Sequence, residues 1–324
     1  MKILKRLTIV LVMLVAFLAI NISSSWAATD FPNRTIEIMM GQPPGGSSDL
    51  TTRIFKEYVS KILGVPVVSV YKPGASAAIA STLVAKAKSD GYTLLIGSDT
   101  PLVIGPLTKE VGYTLDDFTP ITSYALTPVP LYVKDDGPYK TMKDFIQASK
   151  ASNNLKNGNV GMPGVTHIVL ESLAKMVGYR AIHIPFDGTA KLLTSVLGGH
   201  VDIGCCASSG GMVGPGRIRV LASPSHKRSE IFPNVPTLEE LGYPIYGEIL
   251  YALWAPKGTP KEVINKIYLA HKQAMEEHGK EITQSYRNME MSVSVLSPDE
   301  VAASFQHSHE YFKKILGEMG MLRK

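Results

Sequence analysis

The 324-residue chain carries a formal net charge of +5 and two cysteines. Cys205 and Cys206 are adjacent, which excludes a disulfide scaffold, because neighbouring cysteines close only a strained small ring; the C-x-x-C spacing of a redox site is also missing. Lys2, Lys5 and Arg6 supply part of the positive charge, and the nearly balanced remainder argues against nucleic acid or anionic membranes as partners.

Those three cations precede an apolar run over 7–20 and then Ser25-Trp26-Ala27-Ala28. A positive start, an apolar stretch and small residues at a cleavage site spell a secretory signal peptide over 1–27, cut after Ala27. The run is short for a bilayer span, which needs roughly 20 residues. The mature chain is then expected to be exported, periplasmic and long enough for about two domains.

Short β-rich runs next alternate with helical spacing, the mark of an α/β architecture. Strands are expected at 35–40, 67–71 and 93–97, with helices over about 50–63 and 77–88. Gly64 and Asp90-Gly91 stop those helices. The order gives a parallel sheet with right-handed crossovers. The stretch over 120–133 is long, extended and marked by proline. A second α/β series follows, with strands at 159–162, 181–185, 201–205 and 218–222 and helices at 166–177 and 189–197. A second extended stretch covers 245–255. Helices are then expected over 260–277, 281–287 and 298–318, with a strand at 291–296. Two long crossings mean that the chain leaves one lobe and returns to it. Lobe one is placed at 29–124 plus 250–324 and lobe two at 125–249, giving a hinged cleft; one continuous sheet is the alternative.

The stretch Gly41-Gln42-Pro43-Pro44-Gly45-Gly46-Ser47-Ser48-Asp49 lies between the first strand and the first helix, where a nucleotide-binding P-loop would lie. A P-loop needs a lysine for the outer phosphates, and Ser47 stands at that place. What remains is a glycine-rich helix start, whose unpaired N–H groups and dipole favour an anion. An ordinary helix cap is the bland alternative. Four more small, hydroxyl-rich loops follow strands, at 97–100, 162–167, 185–189 and 205–210. Open α/β sheets bind ligands outside the carboxyl ends of their strands. No G-x-S-x-G or H-E-x-x-H signature occurs, and no metal or other cofactor is expected. His307 and His309 fall on different sides of a helix and read as a solvated face. Tyr251 and Trp254 read as hinge packing. Asp49 and its like at helix starts read as caps.

FPNRTIEIMMGQPPGGSSD (31–49), KPGASAAIASTLVAKAKSDGYTLLIGS (72–98), HIPFDGTAKLLTSVLGGHVDIG (183–204), FPNVPTLEELGYP (232–244) and APKGTPKEVINKI (255–267) run in order along the chain. They resemble the periplasmic receptors of the tripartite tricarboxylate transporters, the TctC-like or Bug receptors. The resemblance implies a type II periplasmic binding protein of two lobes, each a mixed, mostly parallel sheet flanked by helices, joined by two crossing hinge strands. It implies a monomeric receptor, not an enzyme, that closes on a small carboxylate and presents it to integral-membrane permease subunits. By position it assigns ligand contacts to Pro44, Gly45, Gly46, Ser47, Ser98, Thr100, Thr166, His167, Phe186, Asp187, Gly188, Cys206 and Ala207. Phe186-Asp187-Gly188 stands where the family usually has Tyr-Lys-Gly, and Cys206-Ala207 where it often has Asp-Asn. Asp99 and Asp187, if turned inward, would repel further carboxylates. The expected ligand therefore has one or two carboxylates, with an amine or an apolar body, rather than three. An ABC-type anion receptor, a ligand sensor for a signalling partner and a periplasmic enzyme remain as alternatives.

Overall fold

The computed structural model describes residues 31–323 apart from positions 153 and 210; the signal segment 1–27 lies outside the described residues. Strand β1 (Ile36–Met40) buries Ile36, Ile38 and Met40 and exposes Glu37, the period-two alternation of a strand facing one core. It pairs in parallel with β2 (Val67–Tyr71) and β3 (Thr93–Gly97). Helix α1 (Ser47–Leu63) connects the first two and ends at Gly64, whose φ of 71° places its N–H on the Ser60 carbonyl. Helix α2 (Ala78–Ala85) makes the second crossover. A turn at Thr100–Ile104 and the short α3 (Gly105–Thr108) lead into β4 (Phe118–Pro128).

At this point the chain changes sheet. Strand β5 (Leu131–Lys134) belongs to a second sheet together with β6 (Leu155–Val160), β7 (Ala181–Phe186), β8 (Ile203–Cys205) and β9 (Ile218–Ala222). Helices α4 (Met142–Ala151), α5 (Val165–Val177) and α6 (Thr189–Leu197) flank it. The chain returns through β10 (Glu248–Pro256), then α7 (Lys261–Asn288), β11 (Ser292–Val293) and α8 (Pro298–Glu318). The first sheet has the order β11-β4-β10-β3-β1-β2 and the second β7-β6-β8-β5-β9. In both, parallel strands form one side. The crossing strand β10 runs antiparallel to β3 and β4, and β5 runs antiparallel to β8 and β9.

The strands expected at 159–162 and 291–296 are Leu155–Val160 and Ser292–Val293, and three larger differences concern the chain's course. The stretch 120–133 is two strands in two sheets, broken at Val129-Pro130. Proline has no N–H to continue a ladder, so the Val129 N–H makes a last bond to the Gly247 carbonyl, 3.1 Å away, before the chain turns off. The helices expected at 260–277 and 281–287 are one helix, α7, bent where His278 adopts φ −127°. Helix α4 was not expected, although Thr141 and Asp144 form a capping box at its start.

Both cysteines are buried small hydrophobes at the end of β8. Cys205 donates to the Val129 carbonyl and Cys206 to that of Ser208, and burial pushes both thiols up from their ordinary range. Neither is poised for thiolate chemistry.

Candidate functional site

The carboxyl ends of the parallel strands in the two sheets face each other across a cavity of about 620 Å³. Its walls carry the loops after β1, β2, β3, β6 and β7, together with β10. Three helices start there. Helices α1, α5 and α6 have Gly46, Gly164 and Gly188 as N-caps, which bring no capping side chain of their own; from outside the helices, Gln42 accepts from the Ser48 N–H of α1 at 3.4 Å and Thr100 from the Val165 N–H of α5 at 3.3 Å. The first N–H groups of a helix have no intrahelical acceptor, so these starts offer donors and positive dipole ends to the cavity.

The loop after β1 is shaped from beneath by Asp49, which is fully buried. Its carboxylate accepts from the Gly45 N–H at 2.8 Å, from Arg53 at 2.6 Å and from the Tyr71 hydroxyl at 2.7 Å. Burial works to raise its pKa, but the Gly45 and Tyr71 hydrogen bonds and the Arg53 charge outweigh it and hold the group below its ordinary value. Gly45 sits at φ +80°, a region that suits glycine, and this aims its N–H at Asp49. The Gly46 N–H is likewise spent, on the Pro43 carbonyl at 3.2 Å. Asp49 is thus a clasp on the loop rather than a plain helix cap.

Of the expected contacts, Ser47, Ser98, Thr100, Thr166, Phe186, Asp187 and Ala207 line the cavity. Pro44, Gly45, Gly46, His167, Gly188 and Cys206 do not stand on its wall. Pro44, Gly45 and Gly46 give the first loop its course, and Gly188 caps α6. His167 lies in the first turn of α5 but turns into the lobe, edge to face with His183 at 4.5 Å between ring centres. Burial, then the His183 charge, lowers its pKa to about 4. Behind it, His183 pairs with Glu171 at 2.9 Å.

The two aspartates part company. Asp99 is buried and turned off the cavity wall: it accepts from the Leu250 N–H at 3.0 Å and from the Ser308 side chain. Burial raises its pKa. The condition for bringing charge to a ligand, an inward turn, is thus not met by Asp99. Asp187 does line the cavity, but it is exposed there and paired with Lys191, also on the wall, at 3.0 Å.

Several wall residues escaped the sequence reading. Gln42 lines the cavity and accepts from the Ser48 hydroxyl at 3.1 Å. Thr189, the first residue of α6, meets Ser47 hydroxyl to hydroxyl at 3.2 Å across the lobes. Tyr251 packs in the core of the crossing strand and also reaches the wall, where it bonds Ser47, a contact beyond the packing expected of it; Trp254 packs edge to face on Phe305. The segment 73–77 contributes a whole face. Ala75, Ser76 and Ala77 all have positive φ, 49°, 54° and 73°, strain of a kind that gathers at ligand sites. Gly41 makes room for it: a Cβ there would overlap that of Ala77. Its place between a strand and a helix, with Gly74 and small residues, was a usable signal.

Further hydrogen bonds join the lobes. Thr100 accepts from the Val165 N–H at 3.3 Å, and Ser209 bonds Glu290 through its N–H and hydroxyl. No group of three or more His, Cys, Asp or Glu among the described residues could hold a metal ion. No helix among them is long and apolar enough to cross a membrane.

A family model described as "Tripartite tricarboxylate transporter family receptor" matches residues 51–321. The chain belongs to this receptor family. A curated relative from Cupriavidus necator, "UPF0065 protein in gbd 5'region", is 35% identical over 252 residues, 77% of each chain. The solved structure of the periplasmic binding protein BugD superposes with a TM-score of 0.83 at 25% identity, covering 91% of this chain and 100% of that one. An R. palustris protein solved with adipate gives 0.84 at 25% identity over 90% and 99% of the two chains. The architecture is thus the two-lobed periplasmic binding protein fold. As a member of the tripartite tricarboxylate transporter receptor family, the chain is a solute-binding receptor, and family members are receptors rather than enzymes.

Proposed function

We propose that this receptor is exported, loses residues 1–27, and as a monomer captures a small carboxylate between its lobes for delivery to the membrane subunits of its transporter. The observation that carries the reading is the convergence of three glycine-capped helix starts on one interlobe cavity. Preoriented N–H and hydroxyl donors can share one carboxylate charge without an arginine. The adipate held by the related R. palustris protein supports the same ligand chemistry. Ligand contacts are assigned to Ser47, Ser98, Phe186, Asp187, Thr189, Ala207 and Tyr251, while Thr100 and Thr166, also on the wall, use their hydroxyls to hold the α5 start. The other residues of the first loop, and Gly188, act by shaping the helix starts.

No chemistry is required of such a site. A ligand that touches both lobes stabilises the closed arrangement by its differential affinity for it. Closure also presents to the membrane subunits a surface that the open form lacks. The test is a thermal-shift panel of small carboxylates, amino acids, phosphate and sugars against the purified protein. A carboxylate at about 100 times its dissociation constant adds roughly 2.7 kcal/mol of stability. The same carboxylate should be recovered chemically unchanged. Stabilisation confined to sugars or phosphate would sink the reading.

A further inference from the structure

The charges on the cavity wall say more than that an anion binds. Asp187 and Lys191 are the only charged side chains among its described lining residues, and they form an exposed pair with each other at 3.0 Å. Asp187 lies just before Gly188, the N-cap of α6, and Lys191 lies within the first turn of that helix. The donors divide unevenly. The α1 and α6 starts meet at Ser47 and Thr189, 3.2 Å apart, and Tyr251 joins Ser47. The α1 start is partly committed, its Ser48 N–H and hydroxyl both going to Gln42, and so is the α5 start. Its Val165 N–H is held by Thr100, and the Thr166 hydroxyl is spent on the Val160 N–H and carbonyl, at 2.9 and 3.2 Å. The place for a carboxylate is therefore taken at α6 beside α1, where these hydroxyls meet and the α6 cap brings no side chain. A second carboxylate would give up its water and find no free cation.

The remaining wall is uncharged, with an apolar stretch beside Gln42, Ser76 and Ser98. Ile96, Ile249 and Tyr251 are buried side chains that still reach the cavity, and Val160, Met162 and Phe186 extend the surface toward the second lobe. Apolar ligand surface placed against them leaves water, which favours binding in proportion to the area covered. Ligand pockets of this size hold a ring or a short chain with room for its head group.

We propose, resting on the carboxylate reading above, that the cavity selects a monocarboxylate with an apolar, ring-sized body, and that Asp187 sets this choice by holding Lys191 away from any second carboxylate. Asp187 is then the specificity-determining residue. Removing its charge frees a cation on the wall. At about 4 Å in a watery environment one unit charge acts on another with about fivefold effect on an equilibrium, so the changes expected are of that size.

Calorimetric titration of the purified protein with phenylacetate, benzoate, hexanoate, adipate, citrate and phenylacetamide tests this. At least one of the three monocarboxylates should bind tenfold or more tighter than adipate and citrate. Asp187→Asn should raise the ratio of adipate to monocarboxylate affinity about fivefold, and Lys191→Gln should lower it. The opposite signs separate an electrostatic role from loss of packing. Adipate or citrate binding more tightly than all three monocarboxylates overturns the proposal and leaves the carboxylate reading intact. An unchanged ratio in both variants overturns the role of Asp187. If phenylacetamide binds as well as phenylacetate, or no carboxylate binds, the carboxylate reading falls with it.

Discussion

Helix starts at the cleft and helix starts on the outside of this receptor are built differently. Outside, α4 and α8 begin with full capping boxes, Thr141 with Asp144 and Ser297 with Glu300. Each side chain accepts from the first turn of its helix and each acid returns the bond. At the cleft, α1, α5 and α6 begin with glycine and no capping side chain. A glycine cap costs a helix only a few tenths of a kcal/mol relative to serine or aspartate. That small loss of stability leaves first-turn donors open most fully at α6; at α1 and α5, Gln42 and Thr100 take one N–H each from outside the helix. The contrast teaches that the site is marked by caps that are missing, as much as by side chains that are present.

The contrast can be broken most strongly at Gly188. Its φ of −176° is extended backbone open to any residue, and a Cβ there makes ordinary contact with Pro43 at 3.8 Å. Gly188→Asp should therefore fold, cap α6, and place a carboxylate where the ligand carboxylate is received. Two such charges about 4 Å apart repel by about 4 kcal/mol at intermediate dielectric, so ligand affinity should fall by roughly a thousandfold while the melting temperature holds. Gly188→Asn, a cap without charge, should lose less. Equal losses in the two variants would mean that blocked donors, not charge, decide the effect.

A weaker lever is acid. His167 behind the cleft and His271 in the first lobe are both buried, and burial lowers both to about 4 from an ordinary 6.5. Their folded pKa values are depressed, so the unfolded chain takes up protons first as pH falls. Stability is full above pH 6.5 and drops between 6.5 and 4, by up to about 3 kcal/mol for each histidine. Denaturant melts across that range should show the drop. Replacing His271, which bonds the Tyr124 hydroxyl at 2.9 Å, by glutamine should remove about half of it. An unchanged pH slope in that variant would place the proton uptake elsewhere.

The smallest effect should come from the outer helices. Ser297→Ala deletes the cap of α8 and should cost about 1 kcal/mol of stability with ligand affinity unaltered. A fall in affinity would show that α8 is coupled to the cleft, for example through the bond from Ser308 to Asp99.

Much of this arrangement is legible in residue order. Strands β2, β3 and β9 and helices α6 and α8 fall where their spacing places them, since period-two and period-3.6 patterns are local consequences of burying one face. The loops that follow β1, β3, β6 and β7 were recognisable by glycine and hydroxyl residues. The segment 73–77 was harder, because left-handed backbone is ordinarily signalled by glycine, and here Ala75, Ser76 and Ala77 adopt it under tertiary constraint. The break at Val129-Pro130 was also obscured. Two strands of different sheets, end to end, read as one extended run when neither partner is known.

Residue order alone establishes that the chain is α/β, that several of its helices start on glycine, and that no G-x-S-x-G or H-E-x-x-H signature accompanies them. Which groups line the cavity is a matter of contacts between distant segments. Gly45 and Gly46 lie in the most conspicuous loop, yet their N–H groups close on Asp49 and Pro43. Asp99 neighbours two wall residues, Ser98 and Thr100, yet turns to Leu250 and Ser308. Tyr251, from the returning strand, supplies the hydroxyl beside Ser47. Element type is settled by neighbours three or four residues away. The direction of a side chain at a strand end is settled by the nearest unpaired donor or acceptor, which in this fold can belong to a segment 151 residues distant.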